Sequence, residues 1–318
     1  MKKNNIITLV CLTATSLLPF RTVAQDVVPE PTSPQPPLYH PKDPKPLTAP
    51  LHFIPVEEAI PAAFQGTVEN KIVDEAHTLF PFFERLLLCE APVRIVHIGD
   101  SHVRGHVYPY TTRLLLEKDF SDRAVYPDTI TYRTSGIARE TGNPGLVFHI
   151  FGVNGATAAS FHAEEHIREV ASLNPDLIIV SFGTNEAHGK YAASDHRVEL
   201  DNLITSIRQA CPNAAILLTT PPGAYIGKRY ARRINPNTRQ AAKVITEYAE
   251  RKKIASWDLY TIAGSGKHAV RNWKRSNLFR RDGIHFTPEG YRLQGTLLYQ
   301  AFIKVYNEYV ANSMEQTD

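Results

Sequence analysis

The sequence predicts an α/β fold, a doubly wound, mostly parallel five-stranded sheet flanked by helices. Three observations predict it. Five short apolar runs recur between residues 93 and 260, helical segments lie between them, and the leading runs give way to small polar loops rich in Gly, Ser, Asn and Asp. Runs apolar at nearly every position suit strands buried on both faces, and strands alternating with helices imply parallel pairing with helices on both sides.

The runs are VRIVHIG (93–99), LVFHIFGV (146–153), LIIVSFG (177–183), AILLTT (215–220) and IASWDLY (254–260). Each is short and rich in β-forming residues. Between them, the segment 195–210 sets Leu200, Leu203, Ile204 and Ile207 on one helical stripe. Asn235 and Pro236 supply an N-cap and first-turn pair before Ala241 to Arg251. Thr287 and Pro288 open a last helix in the same way, running to about Val310. Upstream, Ile72, Ala76, Leu79, Phe83 and Leu87 recur at helical spacing and predict a helical lead-in over 68–89. Pro81 is expected to kink or divide it.

Ahead of this domain, expected over 62–318, prolines recur from Pro29 to Pro61 and predict an extended leader over 25–61. The first 24 residues carry Lys2 and Lys3, an apolar core from Ile6, and Ala24, which reads as a cleavable secretory signal. The mature protein is therefore expected in the periplasm or outside the cell. Cys11 lacks the small preceding residue of a lipoprotein signal, so no lipid anchor is expected. No later stretch reaches the roughly 18 apolar residues of a membrane span.

The chain has 35 Lys and Arg against 32 Asp and Glu. Removing the signal takes Lys2, Lys3 and Arg21, which leaves a formally neutral chain. Neutrality removes the global electrostatic footprint of a nucleic-acid binder. Cys89 and Cys211 remain; export would permit a bridge between them, and each reads equally well as a buried small apolar residue.

In a doubly wound sheet, function gathers where loops leave the carboxyl ends of the strands. Gly99, Asp100, Ser101 and His102 follow the first strand, Asn154 and Gly155 the second, and Gly183, Thr184, Asn185 and Glu186 the third. DGIHFTPEGY (282–291) stands just before the last helix. These residue types answer the needs of acyl transfer. A serine hydroxyl needs an imidazole to accept its proton, and the imidazole needs a carboxylate to fix its tautomer. Asp282 and His285, three apart on a turn, can supply both. The backbone N–H groups of Ser101 and Gly155 with the amide of Asn185 would face the oxyanion of the tetrahedral intermediate. Glycine at 155 leaves room for the acyl group.

GDSH, the glycine of VNGAT, GTNE and DGIH resemble, in order, the four blocks of the SGNH (GDSL-type) serine hydrolases. The resemblance spans residues 99–285 and implies the flavodoxin-like fold of that family. It implies Ser101 as nucleophile and first oxyanion donor, Gly155 and Asn185 as the other donors, and His285 as base oriented by Asp282. It implies no metal and no cofactor. His97, His102 and His106 could approach one another, but no complete ligand set is visible.

His102 stands where Leu is usual in the family, and Glu186 where Asp is frequent. GDSH, with Trp273 ahead of DGIH, is similar to the exported branch that includes peptidoglycan and polysaccharide O-acetylesterases. An acylated glycan is thus the expected substrate, with His102, His188, Tyr225 and Trp273 as candidate contacts. The basic stretches KRYARR (228–233) and KHAVRNWKRSNLFRR (267–281) are expected at the rim, as a hold for an acidic glycan or as ordinary solvated surface. The same triad would also serve an O-acetyltransferase or a lipid-type esterase. A noncatalytic glycan-binding protein is the reading from another class.

Overall fold

Each apolar run becomes a strand because its successive side chains feed two separate hydrophobic layers. The computed structural model describes residues 52–127, 136–228 and 230–315. In chain order these form β1 (Ile72–Val73), α1 (Phe80–Leu88), β2 (Pro92–Gly99), α2 (Ser101–Arg104), α3 (Val107–Phe120), β3 (Gly145–Gly152), α4 (Ala158–Phe161), α5 (Glu164–Ser172), β4 (Leu177–Ser181), α6 (Thr184–His188), α7 (Ala193–Ala210), β5 (Ala215–Thr219), β6 (Tyr225–Ile226), β7 (Arg233–Ile234), α8 (Pro236–Lys252), β8 (Ala255–Trp257), α9 (Leu259–Ile262), α10 (Gly266–Arg275) and α11 (Pro288–Glu315). The expected secretory signal and most of the proline-rich leader lie outside the described residues.

The sheet order is β1-β8-β5-β4-β2-β3. Strands β2, β3, β4, β5 and β8 pair in parallel, and the winding reverses between β2 and β4. Along β2 and β4 the two faces alternate, as pleating requires. Val93, Ile95, Leu177, Ile179 and Leu217 join one core with Phe82, Phe83, Leu298, Phe302 and Tyr306. Val96, Ile98, Ile178, Val180 and Leu218 join the other with Leu200, Leu203, Ile204, Ile207 and Ile245. Full burial of each such side chain contributes about 1.5–3 kcal/mol before chain entropy is charged against it.

The sheet has six strands, not five. The sixth is β1, which pairs antiparallel to β8 with Ile72 opposite Trp257 and Val73 opposite Ser256. It comes from the N-terminal part of the segment expected to be a helical lead-in. Helix there is confined to Phe80–Leu88, and Pro81 lies in its first turn instead of kinking it. The cause is Asp74, whose carboxylate accepts from the Thr78 N–H at 2.9 Å, the Thr78 hydroxyl at 2.7 Å and the Leu79 N–H at 2.8 Å. This local turn captures the donors that a continuous helix would need.

Residues 52–61 are extended yet held against α11. Asn307 accepts from the Ile54 N–H at 2.9 Å and donates to its carbonyl at 2.8 Å, while Gln300 accepts from the Ala59 N–H at 3.1 Å. Cys89 and Cys211 are both free thiols. No helix among the described residues is long and apolar enough to cross a membrane.

Candidate active site

β2 ends at Gly99 in register with Gly152 of β3 and Ser181 of β4, so three loops leave the sheet at one level. They do so beside the reversal of winding, where a crevice opens. Ser101 begins α2, and Asp100 caps that turn by accepting from the His102 N–H at 2.8 Å. The turn lies directly on β3: a Cβ on Gly152 would come within 2.2 Å of the Arg104 nitrogen.

The Ser101 Oγ is 3.0 Å from Nε2 of His285, although 184 residues separate them. On the other side of the ring, Nδ1 lies 2.9 Å from Oδ2 of Asp282. The second oxygen, Oδ1, accepts from the N–H groups of Ile284 and His285, each at 2.8 Å. Burial alone would raise the Asp282 pKa, but these backbone donors and the imidazole outweigh it and hold the carboxyl below its usual range. An ionised Asp282 can only accept. It therefore draws the proton to Nδ1 and leaves the Nε2 lone pair facing the serine hydroxyl. The loop keeps its shape through Arg280, whose N–H donates to the His285 carbonyl at 2.8 Å, and through Phe279 stacked on Phe286 at 4.5 Å.

Gly155 is exposed with φ +72, and a Cβ there would meet no protein atom within 4 Å. Its backbone conformation, which L side chains rarely adopt, is thus what demands glycine, and the space in front of it is open. Asn185 donates one amide hydrogen to the Ala156 carbonyl at 2.8 Å. The same amide nitrogen also makes a longer hydrogen bond of 3.4 Å to Oδ2 of Asp100. Glu186 joins these two loops. Its buried carboxylate accepts from the Ala158 N–H at 2.8 Å and the Gly183 N–H at 2.9 Å.

A model of the GDSL-like lipase/acylhydrolase family matches residues 98–293, more than half of the 318-residue chain. The chain belongs to that family. It is therefore a hydrolase of ester bonds. Among solved structures, it is similar to a peptidoglycan O-acetylesterase at 15% identity and TM-score 0.62, over 76% of this chain and 99% of that one. It is also similar to a GDSL-like lipase from Bacteroides thetaiotaomicron (20% identity, TM-score 0.45, 72% and 98% of the two chains). An acetyl xylan esterase gives 18% identity and TM-score 0.47 over 66% and 99%. The likeness to the peptidoglycan O-acetylesterase is one of fold. Comparison with curated proteins gives no match.

Two of the four expected substrate contacts of this acylhydrolase are buried. Trp273 is fully buried, donates to the Pro222 carbonyl at 3.1 Å and packs edge-on against Phe64 and Phe286. It supports the loop of His285 from beneath and has no surface to offer a sugar. His102 is also buried, its ring 5.4 Å from that of His285 and its Nδ1 3.0 Å from the Tyr291 hydroxyl. Burial, with His285 beside it, pushes its pKa down to about 3, so it stays a neutral ring beside His285. The other two stay half-exposed. His188 lies between the Thr184 carbonyl (2.7 Å) and the Tyr225 carbonyl (3.2 Å). The Tyr225 N–H donates to the Gly283 carbonyl at 2.8 Å, tying this region to the loop of Asp282.

His97 sits in the core with Nε2 2.7 Å from the Ser181 hydroxyl, and burial pushes its pKa down to about 3. Among the described residues no group of three or more His, Cys, Asp or Glu is arranged to hold a metal ion. Glu186 is the residue whose part sequence reasoning missed. Its only signal was its place beside Asn185, which carries no hint of the two loops it joins.

Proposed function

We propose that this protein is an exported esterase that removes O-linked acetyl groups from a glycan, such as peptidoglycan or another polysaccharide, through an acetyl-enzyme on Ser101. The single observation that carries this reading is the hydrogen-bonded series Ser101, His285, Asp282, with distances of 3.0 and 2.9 Å. As Oγ attacks the acetyl carbon, its proton passes to Nε2, and Asp282 stabilises the imidazolium. The oxyanion would receive hydrogen bonds from the N–H groups of Ser101 and Gly155 and from the amide of Asn185, exchanged from its long contact with Asp100. Collapse expels the sugar oxygen, which takes the proton from Nε2. A water then repeats the sequence on the acetyl-serine and releases acetate.

Open space in front of Gly155, where a Cβ would meet no protein atom within 4 Å, leaves room for an acyl group. The peptidoglycan O-acetylesterase likeness supports a glycan substrate, and the 24-residue signal read from the sequence supports export. The test is acetate release from 4-nitrophenyl acetate and from O-acetylated glycans, with fluorophosphonate labelling of Ser101 read by mass spectrometry. Turnover lost in Ser101→Ala supports the proposal; no turnover and no labelling of the wild type overturns it.

A further inference from the structure

The ribbon β6–β7 stands beside the loop of the triad and is fastened to it. Its strands pair Tyr225 with Ile234 and Ile226 with Arg233, and the Ala231 N–H closes its turn onto the Lys228 carbonyl at 2.8 Å. Two bonds reach the triad loop: the Tyr225 N–H to the Gly283 carbonyl at 2.8 Å, and the Arg232 guanidinium to the Arg281 carbonyl. Arg280 is in turn paired through its backbone to His285. Lys228, Arg232 and Arg233 thus lie on a ribbon bonded to the loop that carries Arg280, Arg281, Asp282 and His285.

These five cations have no ion-pair partner among the described carboxylates. No Asp or Glu occurs from Pro221 to Thr246 or from Leu259 to Arg281. Asp282 is already engaged by His285 and two backbone donors. The hydrogen bond from Arg232 to the Arg281 carbonyl holds these two cationic residues side by side. Since the chain without its expected signal is neutral, this is segregation of charge toward one rim rather than a general excess. At the ribbon's crest Tyr230 is 84% exposed, the most exposed large hydrophobic residue described. An exposed aromatic ring on the same ribbon as these cations suits a pyranose ring that carries an anion, the ring covering the apolar face and the forked donors taking its oxygens.

We propose that the ribbon and the Arg280–Arg281 segment form an acceptor subsite for an anionic glycan, so that the ester cleaved at Ser101 sits on a sugar polymer bearing carboxylates. This rests on the esterase reading above and specifies its substrate class. Carboxylates of a polyuronate and of peptidoglycan present the same chemistry to the rim, and separate substrates distinguish them.

The experiment compares kcat/KM on O-acetylated polyuronate, O-acetylated peptidoglycan, acetylated glucomannan as a neutral glycan and 4-nitrophenyl acetate, at low and high salt. One or both anionic glycans should exceed the neutral one by about tenfold at low ionic strength, carried by KM, and high salt should erase most of that preference. The double variant Arg232→Gln/Arg281→Gln should lower the anionic-to-neutral ratio toward unity, and Tyr230→Ala should raise KM on both kinds of polymer. A ratio unaffected by salt and by the double variant, in an enzyme that turns over 4-nitrophenyl acetate, overturns the subsite and leaves the esterase standing. Should 4-nitrophenyl acetate itself resist turnover, calorimetric binding of the same polymers to Ser101→Ala protein decides the subsite independently. Tight binding to phosphatidylglycerol vesicles without preference among glycans also overturns it, in favour of a membrane-facing rim.

Discussion

Replacing Asp100 by Asn should change how stability responds to pH. Asp100 is 1% exposed, and burial pushes its carboxyl pKa up to about 8, with Glu186 acting in the same direction against the His102 N–H. An Asp in the unfolded chain loses its proton near 3.9. Between pH 5 and 8 the folded protein therefore binds one more proton at this site than the unfolded chain. Its contribution to stability is present at low pH and is lost as pH rises, at about 1.4 kcal/mol per pH unit, or about 4 kcal/mol across that window. Asn copies the protonated carboxyl in shape and does not titrate. Urea unfolding of both proteins at pH 5, 6, 7 and 8 provides the assay. The stability of the wild type minus that of Asp100→Asn should decline by about 4 kcal/mol from pH 5 to 8 and flatten above it. Curves that run parallel, or a wild type that gains on the variant as pH rises, would refute the reasoning, because the carboxylate would then be ionised in the fold.

Three further outcomes follow from the same geometry. Asp282→Asn should reduce kcat on 4-nitrophenyl acetate by about 10⁴-fold with little change in Tm, because an amide no longer enforces the tautomer that leaves Nε2 free. Glu186→Ala removes the acceptor of two backbone N–H groups and should cost about 1–3 kcal/mol for each one left unsatisfied, together with activity, as read by urea unfolding and steady-state kinetics. Gly152→Ala would set a Cβ 2.2 Å from the Arg104 nitrogen, so α2 must shift; a loss of about 1–3 kcal/mol and of Ser101 labelling is expected, checked by thermal melting and a fluorophosphonate probe.

Much of the fold was legible because its signals are local. The apolar runs 93–99 and 177–183 alternate between two cores whatever their neighbours do, and Asn235–Pro236 opens α8 by chemistry contained in three residues. The segment 68–89 misled because its helical spacing was real, while the Asp74 turn that overrides it acts through hydrogen bonds that periodicity does not report. Trp273 misled for a related reason. An aromatic residue near DGIH reads alike whether it faces a sugar or lies beneath the loop, and burial alone separates the two.

The sequence by itself determined the five parallel strands and the helices α7, α8 and α11, and it placed Ser101, Gly155, Asn185, Asp282 and His285 after strands or before a helix. Only the tertiary structure decided that Ser101 and His285 touch across 184 residues, that His102 is a buried neutral ring beside His285, and that Glu186 fastens the loops of Gly155 and Asn185. The physical reason is range. Periodicity and capping are written within a few neighbouring residues, whereas contact, burial and the pKa values they set depend on which distant segments the sheet brings to one edge.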